Sequence, residues 1–233
     1  MQIEESEMVL TGVKACVFDA YGTLFDVHSA IGQYSNRLGD KAQATSMLWR
    51  DKQLQYTWLR AVQGAHVDFW QVTADGLDFA LEANQIDDSA LRDDLLNAYL
   101  SLSCYPEVPD TLARLNTMGL RCAILSNGSP KMLEAAVGNA AIGEHLEALY
   151  SVESVGVFKP SHKVYQLVPD DMDIAPSEVC FLSSNAWDAT AAAHFGFQVV
   201  WINRFGQAPE RLPGKPKAEI ITLDQLPPLL TTV

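Results

Sequence analysis

Five short apolar runs recur along the chain, and each is typical of a buried β-strand. They are continuous rather than alternating, which favours strands of a parallel sheet covered on both faces. The predicted strands span residues 13–20, 120–127, 178–185, 197–204 and, as a short edge strand, 218–222. Helix-period segments lie between them at 109–119, 130–141 and 187–196. Strands that alternate with helices predict an α/β fold with a doubly wound, mostly parallel, Rossmann-like sheet.

Residues 26–101 have a different pattern, which contains no convincing strand. Apolar positions repeat there with a helical period over three segments, 44–62, 68–84 and 89–102. Pro106 and Pro109 mark the return to the sheet. The sequence therefore predicts a helical cap inserted after the first strand. We expect a catalytic core domain formed by residues 1–25 and 102–233 and a cap domain formed by residues 26–101.

Composition narrows the possible functions. The formal net charge of -13 disfavours nucleic acid as a partner, because phosphates repel an acidic surface. No apolar run is long enough for a membrane span, and the acidic N-terminus MQIEESEMVL lacks the features of a secretory signal, so we expect a cytoplasmic protein. The cysteines have no metal-binding spacing and are expected to be buried free thiols: Cys16, Cys104, Cys122 and Cys180.

Polar side chains follow three of the predicted strands. Ligands of open α/β sheets bind beyond the carboxyl ends of the strands, so these side chains are candidates for a site. They are Asp19, Tyr21 and Thr23 after the first strand, Ser126 and Asn127 after the second, and Ser183, Ser184 and Asn185 after the third. Asp188 lies on the next helix, and Lys159 precedes a proline. Two carboxylates and a lysine therefore converge from distant parts of the chain.

These residue types suggest a reaction. Asp19 at the end of a rigid strand can act as a nucleophile and form an ester, and a neighbouring Lys159 keeps it ionised. Asp188 can orient or deprotonate the water that cleaves the ester. Ser126 and the N–H groups of the following helix can hold a carboxylate. Each residue alone also fits a structural role: Asp19 as a turn cap, Lys159 as a surface lysine and Asp188 as a first-turn helix acid. The structural interpretation requires all of these roles at once, which disfavours it.

Four sequence blocks, DAYGTLFD, ILSNGS, FKPSHKVY and SSNAWDATAAAHFGF, resemble the haloacid dehalogenase superfamily. A fifth block in the insertion, WRDKQLQYTWLR, narrows the resemblance to the L-2-haloacid dehalogenases. The resemblance extends over nearly the whole chain. It implies hydrolysis of short (S)-2-haloalkanoic acids to (R)-2-hydroxyacids and halide, through an aspartyl ester and without a metal ion or another cofactor.

The resemblance also implies a catalytic set around the nucleophile. Its members are Asp19, Thr23, Lys159, Tyr165, Ser183, Asn185 and Asp188. Thr23 and Asn185 would orient the two carboxylates, and Lys159 would neutralise the nucleophile with support from Tyr165 and Ser183. Asp188 would activate water for ester hydrolysis, work that Lys159 could share.

A second implied set would bind the substrate. Its members are Tyr21, Arg50, Leu54, Phe69, Ser126, Asn127 and Trp187. Arg50 and Asn127 would hold the halide. Ser126 and the N–H groups after the nucleophile would bind the substrate carboxylate. The other four side chains, Tyr21, Leu54, Phe69 and Trp187, would contact the alkyl group. Arg50 shares a helix face with Leu54 and Trp58, so its charge needs a partner there. An ion pair or a solvent-reaching side chain is the alternative to halide binding.

Two other functions are weighed against dehalogenation. A magnesium-dependent small-molecule phosphatase of the same superfamily would carry a second aspartate at position 21 and a metal-binding aspartate near position 184, where this chain has Tyr21 and Ser184. A catalytically silent binding module would have no need of Asp19, Lys159 and Asp188. Beyond the haloacid and halide, the partner expected from related enzymes is a second copy in a homodimer, with Met47 and Trp58 facing it.

Overall fold

Six parallel strands form a single sheet in the computed structural model, which describes residues 10–231. They are β1 (Ala15–Phe18), β2 (Arg121–Ser126), β3 (Ala148–Ser151), β4 (Val179–Ser183), β5 (Gln198–Ile202) and β6 (Ala218–Ile220). The order β3-β2-β1-β4-β5-β6 places β1 in the interior, and all four of its residues are buried. The order reverses between β1 and β4, where such sheets bind ligands. The predicted α/β fold is confirmed.

One strand was not predicted from the sequence. β3 lies at the edge of the sheet and pairs only with β2 among the described strands. Three of its four residues are only half-buried, and the apolar run of the strand, at residues 148–150, is only three residues long. A run this short does not distinguish a strand from a loop, unlike the longer apolar runs that identified the other strands.

Helices alone fill the chain between β1 and β2. They are α1 (Ser29–Gln33), α2 (Ser35–Leu38), α3 (Ala42–Gln63), α4 (Phe69–Ala83), α5 (Ser89–Tyr99) and α6 (Val108–Thr117). The Asp68 carboxylate accepts the Gln71 N–H at 2.8 Å and begins α4, and Asp88 begins α5 in the same way. The predicted helices of the insertion are confirmed as α3 to α5, whereas α1 and α2 are too short to give a helical period.

The remaining helices connect the later strands. They are α7 (Pro130–Ala140), α8 (His162–Met172) and α9 (Ala186–Phe195). α7 begins four residues after β2 with a proline at its first position, where the missing N–H costs nothing. α9 begins three residues after β4, with Asn185 as the preceding cap residue. Both helices therefore present their N-terminal ends at the edge of the sheet where Asp19 lies.

Two further expectations bear on the environment of the protein. No helix within residues 10–231 is long and apolar enough to cross a membrane. The N-terminal segment in which no secretory signal was expected lies almost wholly outside the described residues. All four cysteines are free; Cys104 is half-buried, and the other three are buried as predicted. Burial raises the pKa of the Cys122 thiol to about 12.

Candidate active site

Asp19 directly follows β1, and its carboxylate is buried. The backbone N–H of Asp19 donates to Leu182 in β4, which extends the sheet by one residue. Oδ2 accepts three hydrogen bonds, from Asn185 Nδ2 at 2.8 Å, Thr23 Oγ1 at 3.1 Å and Ser183 Oγ at 3.4 Å. Within the described part of the chain, Oδ1 accepts a single hydrogen bond, from a lysine ammonium group. The two oxygens are therefore unequal, and Oδ1 keeps lone pairs for chemistry.

A tight turn after Asp19 holds Thr23 in place. The Ala20 carbonyl accepts from the N–H groups of Thr23, Leu24 and Phe25. Gly22 has a φ of +91°, a conformation that favours glycine. The Thr23 hydroxyl donates to Asp19 and accepts the Ser184 N–H at 2.8 Å, so it joins the ends of β1 and β4.

Lys159 lies between the two carboxylates. Its Nζ is 3.1 Å from Asp19 Oδ1 and 2.8 Å from Asp188 Oδ2, and its own side chain is 1% exposed. The Asn127 side-chain oxygen accepts the Lys159 backbone N–H at 2.9 Å, which fixes the segment before α8 against the end of β2. The Tyr165 hydroxyl, from α8, donates to Asp188 Oδ1 at 2.6 Å.

Burial and charge act in opposite directions on this cluster. Burial by itself lowers the pKa of Lys159, but the charges of Asp188 and Asp19 together raise it above its ordinary value. Burial also raises the pKa of Asp188, against the opposing effect of Lys159. The lysine is therefore a fixed positive charge, and Asp188 is a stronger base than an exposed aspartate.

Aromatic rings form a wall beside the carboxylate. Tyr21 stacks on Tyr99 with 5.5 Å between ring centroids and lies 5.7 Å from Phe69. All three rings are buried, and burial raises the pKa of Tyr21 well above its ordinary value. A Cβ atom at Gly128 would lie 2.7 Å from the Tyr21 ring, so the close approach of β2 requires glycine there.

Arg50 reaches the strand ends from α3. Its Nη2 donates to the Tyr21 carbonyl at 3.0 Å and to Asn185 Oδ1 at 3.2 Å, and its Nη1 donates to Gln53 Oε1 at 2.7 Å. All three acceptors are neutral, and within residues 10–231 the guanidinium pairs with no carboxylate. The charge on the helix face is therefore neither paired with an acid nor fully exposed, and it is available to an anion.

The other predicted site residues lie around this centre. Ser126 Oγ accepts the Gly128 N–H at 3.0 Å at the end of β2. Leu54 is half-buried and lines a cavity of about 290 Å³ together with Arg50 and Asn185. Trp187 packs edge-on against Trp58, with 5.3 Å between ring centroids, and both line an apolar groove of about 790 Å³.

Three contributing residues were not predicted from the sequence. Gln53 and Tyr99 bond to each other beside Arg50. Arg204 donates to the Thr23 carbonyl at 2.9 Å from behind the turn. The position of Gln53 three residues after Arg50 is the one available signal, since residues at that spacing are neighbours on a helix.

Residues 10–231 contain no cluster of side chains arranged to bind a metal ion. No three side chains of histidine, cysteine, aspartate or glutamate in that range lie together as a set of metal ligands. Ser183 and Ser184 end β4, and Ser184 Oγ is buried without a hydrogen-bond partner in the same range.

The fold and the site define an α/β enzyme whose central strand ends in a buried aspartate. A family model of haloacid dehalogenase-like hydrolases matches residues 13–196. The chain is 43% identical over 223 residues to (S)-2-haloacid dehalogenase 4A of Burkholderia cepacia, a match that covers 95% of this chain and 96% of that protein. This chain therefore belongs to the haloacid dehalogenase-like hydrolases, which confirms the resemblance of its motifs.

Solved structures extend the comparison to three dimensions. A dehalogenase crystallised as an intermediate complex has a TM-score of 0.93 at 43% identity, with 95% of this chain and 99% of that chain covered. L-2-haloacid dehalogenase from Xanthobacter autotrophicus with chloropropionic acid covalently bound has a TM-score of 0.87 at 36% identity, with 93% and 98% covered. The similarity therefore includes a protein whose structure holds covalently bound chloropropionic acid.

Proposed function

We propose that this protein hydrolyses short (S)-2-haloalkanoic acids to (R)-2-hydroxyacids and halide through an ester on Asp19. The observation that carries the proposal is the unequal setting of the Asp19 oxygens, three donors on Oδ2 and a single ammonium on Oδ1. Relatives at about 43% identity are named (S)-2-haloacid dehalogenases. A phosphatase or a silent binding module has no comparable observation in its favour.

In the first step, Oδ1 of Asp19 attacks C2 from the side opposite the halogen. The new C–O bond forms as the carbon–halogen bond breaks, which inverts C2. Arg50 and the Asn127 amide group receive the halide, and this stabilisation grows as charge develops on the leaving atom. The Asn127 oxygen is engaged by Lys159, so its NH₂ end, which bonds to nothing within residues 10–231, can face the halide.

The substrate carboxylate needs N–H donors near Asp19. The backbone N–H groups of Ala20 and Tyr21 make no hydrogen bond within the described part of the chain, and Ser126 lies at the end of the adjacent strand. We assign these groups to the carboxylate. The wall formed by Tyr21 and Phe69 would then contact the alkyl group.

In the second step, water attacks the carbonyl carbon of the ester. Asp188 accepts one proton of the water and passes it to the departing alkoxide oxygen, with Lys159 able to share this work. The second proton is released to solvent as Asp19 returns to a carboxylate. The hydroxyacid leaves with the oxygen that had been Oδ1, and the water oxygen remains in the Asp19 carboxylate. The buried setting of Asp188, which raises its pKa, supports this role as a base.

Enclosure of the site follows from the proposed division into a core domain of residues 1–25 and 102–233 and a cap domain of residues 26–101. Arg50 supports that division, because its bonds to Tyr21 and Asn185 connect the two parts at the site. A closed arrangement excludes water and strengthens each charge interaction.

We extend the proposal to a cytoplasmic homodimer. Apolar side chains on α3 support it: Met47 is 56% exposed, Leu59 48% and Val62 88%. A second copy that covers this face, with Met47 and Trp58 at the contact, would remove them from water. Analytical ultracentrifugation of the native chain and of Val62→Lys tests the dimer, and a monomeric native chain would remove this part. Fractionation of producing cells tests the location.

Halide release from (S)-2-chloropropionate in the presence of EDTA tests the reaction. We expect release by the native chain and by Asp40→Asn, an exposed control, but none by Asp19→Asn. With Asp188→Asn, mass spectrometry should detect the ester on the peptide that carries Asp19. Hydrolysis of phosphate esters on addition of magnesium, with no halide release, would replace this proposal by the phosphatase. No reaction of either kind would favour a binding module.

A further inference from the structure

Gln53 is buried at the junction of three helices. It lies on α3 with 1% of its surface exposed, and its amide contacts Thr73 of α4 and Tyr99 of α5. On the side facing the strand ends, the same amide contacts Arg50. A buried amide needs hydrogen-bond partners for both its oxygen and its nitrogen. The end of the amide that faces Arg50 therefore decides whether the guanidinium finds an acceptor there.

The orientation of this amide follows from the hydrogen atoms that its neighbours hold. The Thr73 hydroxyl has one hydrogen and donates it to the Phe69 carbonyl at 2.7 Å. Towards Gln53, therefore, Thr73 can only accept, and the atom 2.8 Å away must be the amide nitrogen Nε2. The carbonyl oxygen Oε1 then faces Arg50 Nη1 at 2.7 Å. The hydroxyl of Tyr99 lies 3.2 Å from Oε1 and 3.1 Å from Nε2, and serves both ends.

A neutral acceptor at this position has a specific effect on Arg50. Gln53 completes a set of three uncharged oxygens, together with Tyr21 O and Asn185 Oδ1, that fix the guanidinium plane. None of them cancels its charge. A guanidinium has five N–H groups, so three bonds leave donors free for an anion. A carboxylate in place of the amide would pair with the guanidinium and also leave Thr73 without its donor.

We propose that Gln53 is a positioning residue of the halide site, which orients Arg50 and keeps its positive charge uncompensated for the departing halide. The assignment rests on the proposed dehalogenation, because it names how that reaction handles its leaving group. It acts on the first step only, since Arg50 has no part in the attack of water on the ester.

The decisive variant is Gln53→Glu, with Gln55→Glu as its matched control. Gln55 lies on the same helix, is exposed and bonds to Lys52, so the control adds the same charge away from the site. We expect Gln53→Glu to slow formation of the ester by about 100-fold, the lower end of the effect of losing one transition-state donor. The rate of ester hydrolysis, measured by rapid quenching, should be unchanged. Gln55→Glu should match the native chain in both steps.

Gln53→Met supplies a second variant if the charge disturbs folding. It keeps the length of the side chain and adds no charge, so we expect a smaller loss, confined to the same step. Thermal unfolding of both variants checks that the fold is retained. Equal slowing of ester formation and ester hydrolysis would show a purely structural residue and overturn the assignment, as would no slowing of either.

Bromide binding separates this inference from the reaction itself. Titration of the native chain with sodium bromide, followed by tryptophan fluorescence at constant ionic strength, needs no turnover. We expect the native chain and Gln55→Glu to bind bromide and Gln53→Glu to bind it at least tenfold more weakly. Unchanged affinity in Gln53→Glu, or no binding by the native chain, would overturn the inference. Bromide binding without halide release from any haloacid would instead count against the proposed function.

Discussion

Lys159 and Asp188 form an ion pair with almost no contact with water. The Nζ–Oδ2 distance is 2.8 Å, and the side chains are 1% and 0% exposed. Such a pair does not stabilise a protein merely by existing, because burial of both charges is costly. Loss of one partner, however, leaves the other charge buried and unpaired. Here the lysine has a second carboxylate, Asp19, so its removal exposes two like charges to each other.

Lys159→Met should therefore destabilise the fold strongly. We expect a loss of about 3–5 kcal/mol in the free energy of unfolding, the range for breaking a buried pair, together with loss of halide release. Urea unfolding monitored by circular dichroism measures it. Lys14→Met is the control, because the Lys14 side chain is 59% exposed and its pair with Glu178 faces water. Similar losses of unfolding free energy in Lys159→Met and Lys14→Met would show that burial of Lys159 does not increase the cost of removing it.

Tyr165→Phe should slow the second chemical step. It removes the 2.6 Å hydrogen bond to Asp188 while the ring keeps its contact with Phe181. Without this bond the Asp188 carboxylate is no longer held in position for the water, so we expect ester hydrolysis to fall by about 10- to 100-fold and the ester to accumulate. Tyr150→Phe, which loses an exposed bond to Asp171, should leave both steps unchanged. An unchanged rate in Tyr165→Phe would remove Tyr165 from the catalytic set.

Alkaline pH should destabilise the protein through its buried phenols. Burial raises the pKa values of Tyr21, Tyr99 and Tyr165 in the folded chain. The unfolded chain releases these protons near pH 10 and the folded chain does not, so unfolding is favoured as the pH rises. Lys159 acts in the same direction, because its raised pKa keeps it charged longer in the folded state. This stability is fully present below about pH 10 and is lost above it.

Tyr21→Phe isolates one of these phenols. The Tyr21 hydroxyl is buried and has no hydrogen-bond partner among the described residues, so its loss should not lower stability at pH 7. Between pH 10 and 12, the decline of the free energy of unfolding should become shallower, by up to about 1.4 kcal/mol per pH unit. Urea unfolding at several pH values, with phenolate absorbance recorded in parallel, gives both quantities. If the free energy of unfolding of Tyr21→Phe declined as steeply as that of the native chain, the raised pKa of the buried Tyr21 phenol would be contradicted.

Arg204→Lys should loosen the turn that carries Thr23. The guanidinium joins the Thr23 carbonyl at 2.9 Å to the Glu107 carboxylate at 2.7 Å, with its centre 3.7 Å from the Tyr105 ring centroid. An ammonium cannot reproduce this fork, so we expect a loss of about 2 kcal/mol in unfolding free energy and slower ester formation. Arg121→Lys, whose fork to Glu147 is more exposed, should lose less. A smaller loss for Arg204→Lys than for Arg121→Lys would contradict this argument.

Continuous apolar runs made most of the sheet predictable. β1, β2, β4 and β5 are covered on both faces, so almost all their residues are apolar and buried. The edge strand β3 shares its faces with water and cannot be distinguished from a loop by composition. The short helices α1 and α2 escape prediction for a related reason, since one turn of helix contains too few positions to show a period.

The residues of the candidate site also fall into a group that could be predicted from the sequence and a group that could not. Asp19, Lys159 and Asp188 were identified because each belongs to a recognisable block next to a strand or a proline. Gln53 and Tyr99 contribute through a contact that spans 46 residues of sequence. Only the packing of α3 and α5 against α4 brings them together. Long-range hydrogen bonds between common polar residues leave no local pattern from which they can be read.

The location of Arg50 on α3, a different segment of the chain from the strand that Asp19 follows, has a consequence for how such proteins can diverge. The group proposed to form the bond follows β1, whereas a group proposed to accept the leaving atom lies on α3, in the helical segment between β1 and β2. A change of helices between β1 and β2 can therefore alter which leaving group is tolerated while the aspartate and its lysine stay as they are. Selectivity can thus evolve in one segment while the covalent chemistry is inherited unchanged in the other.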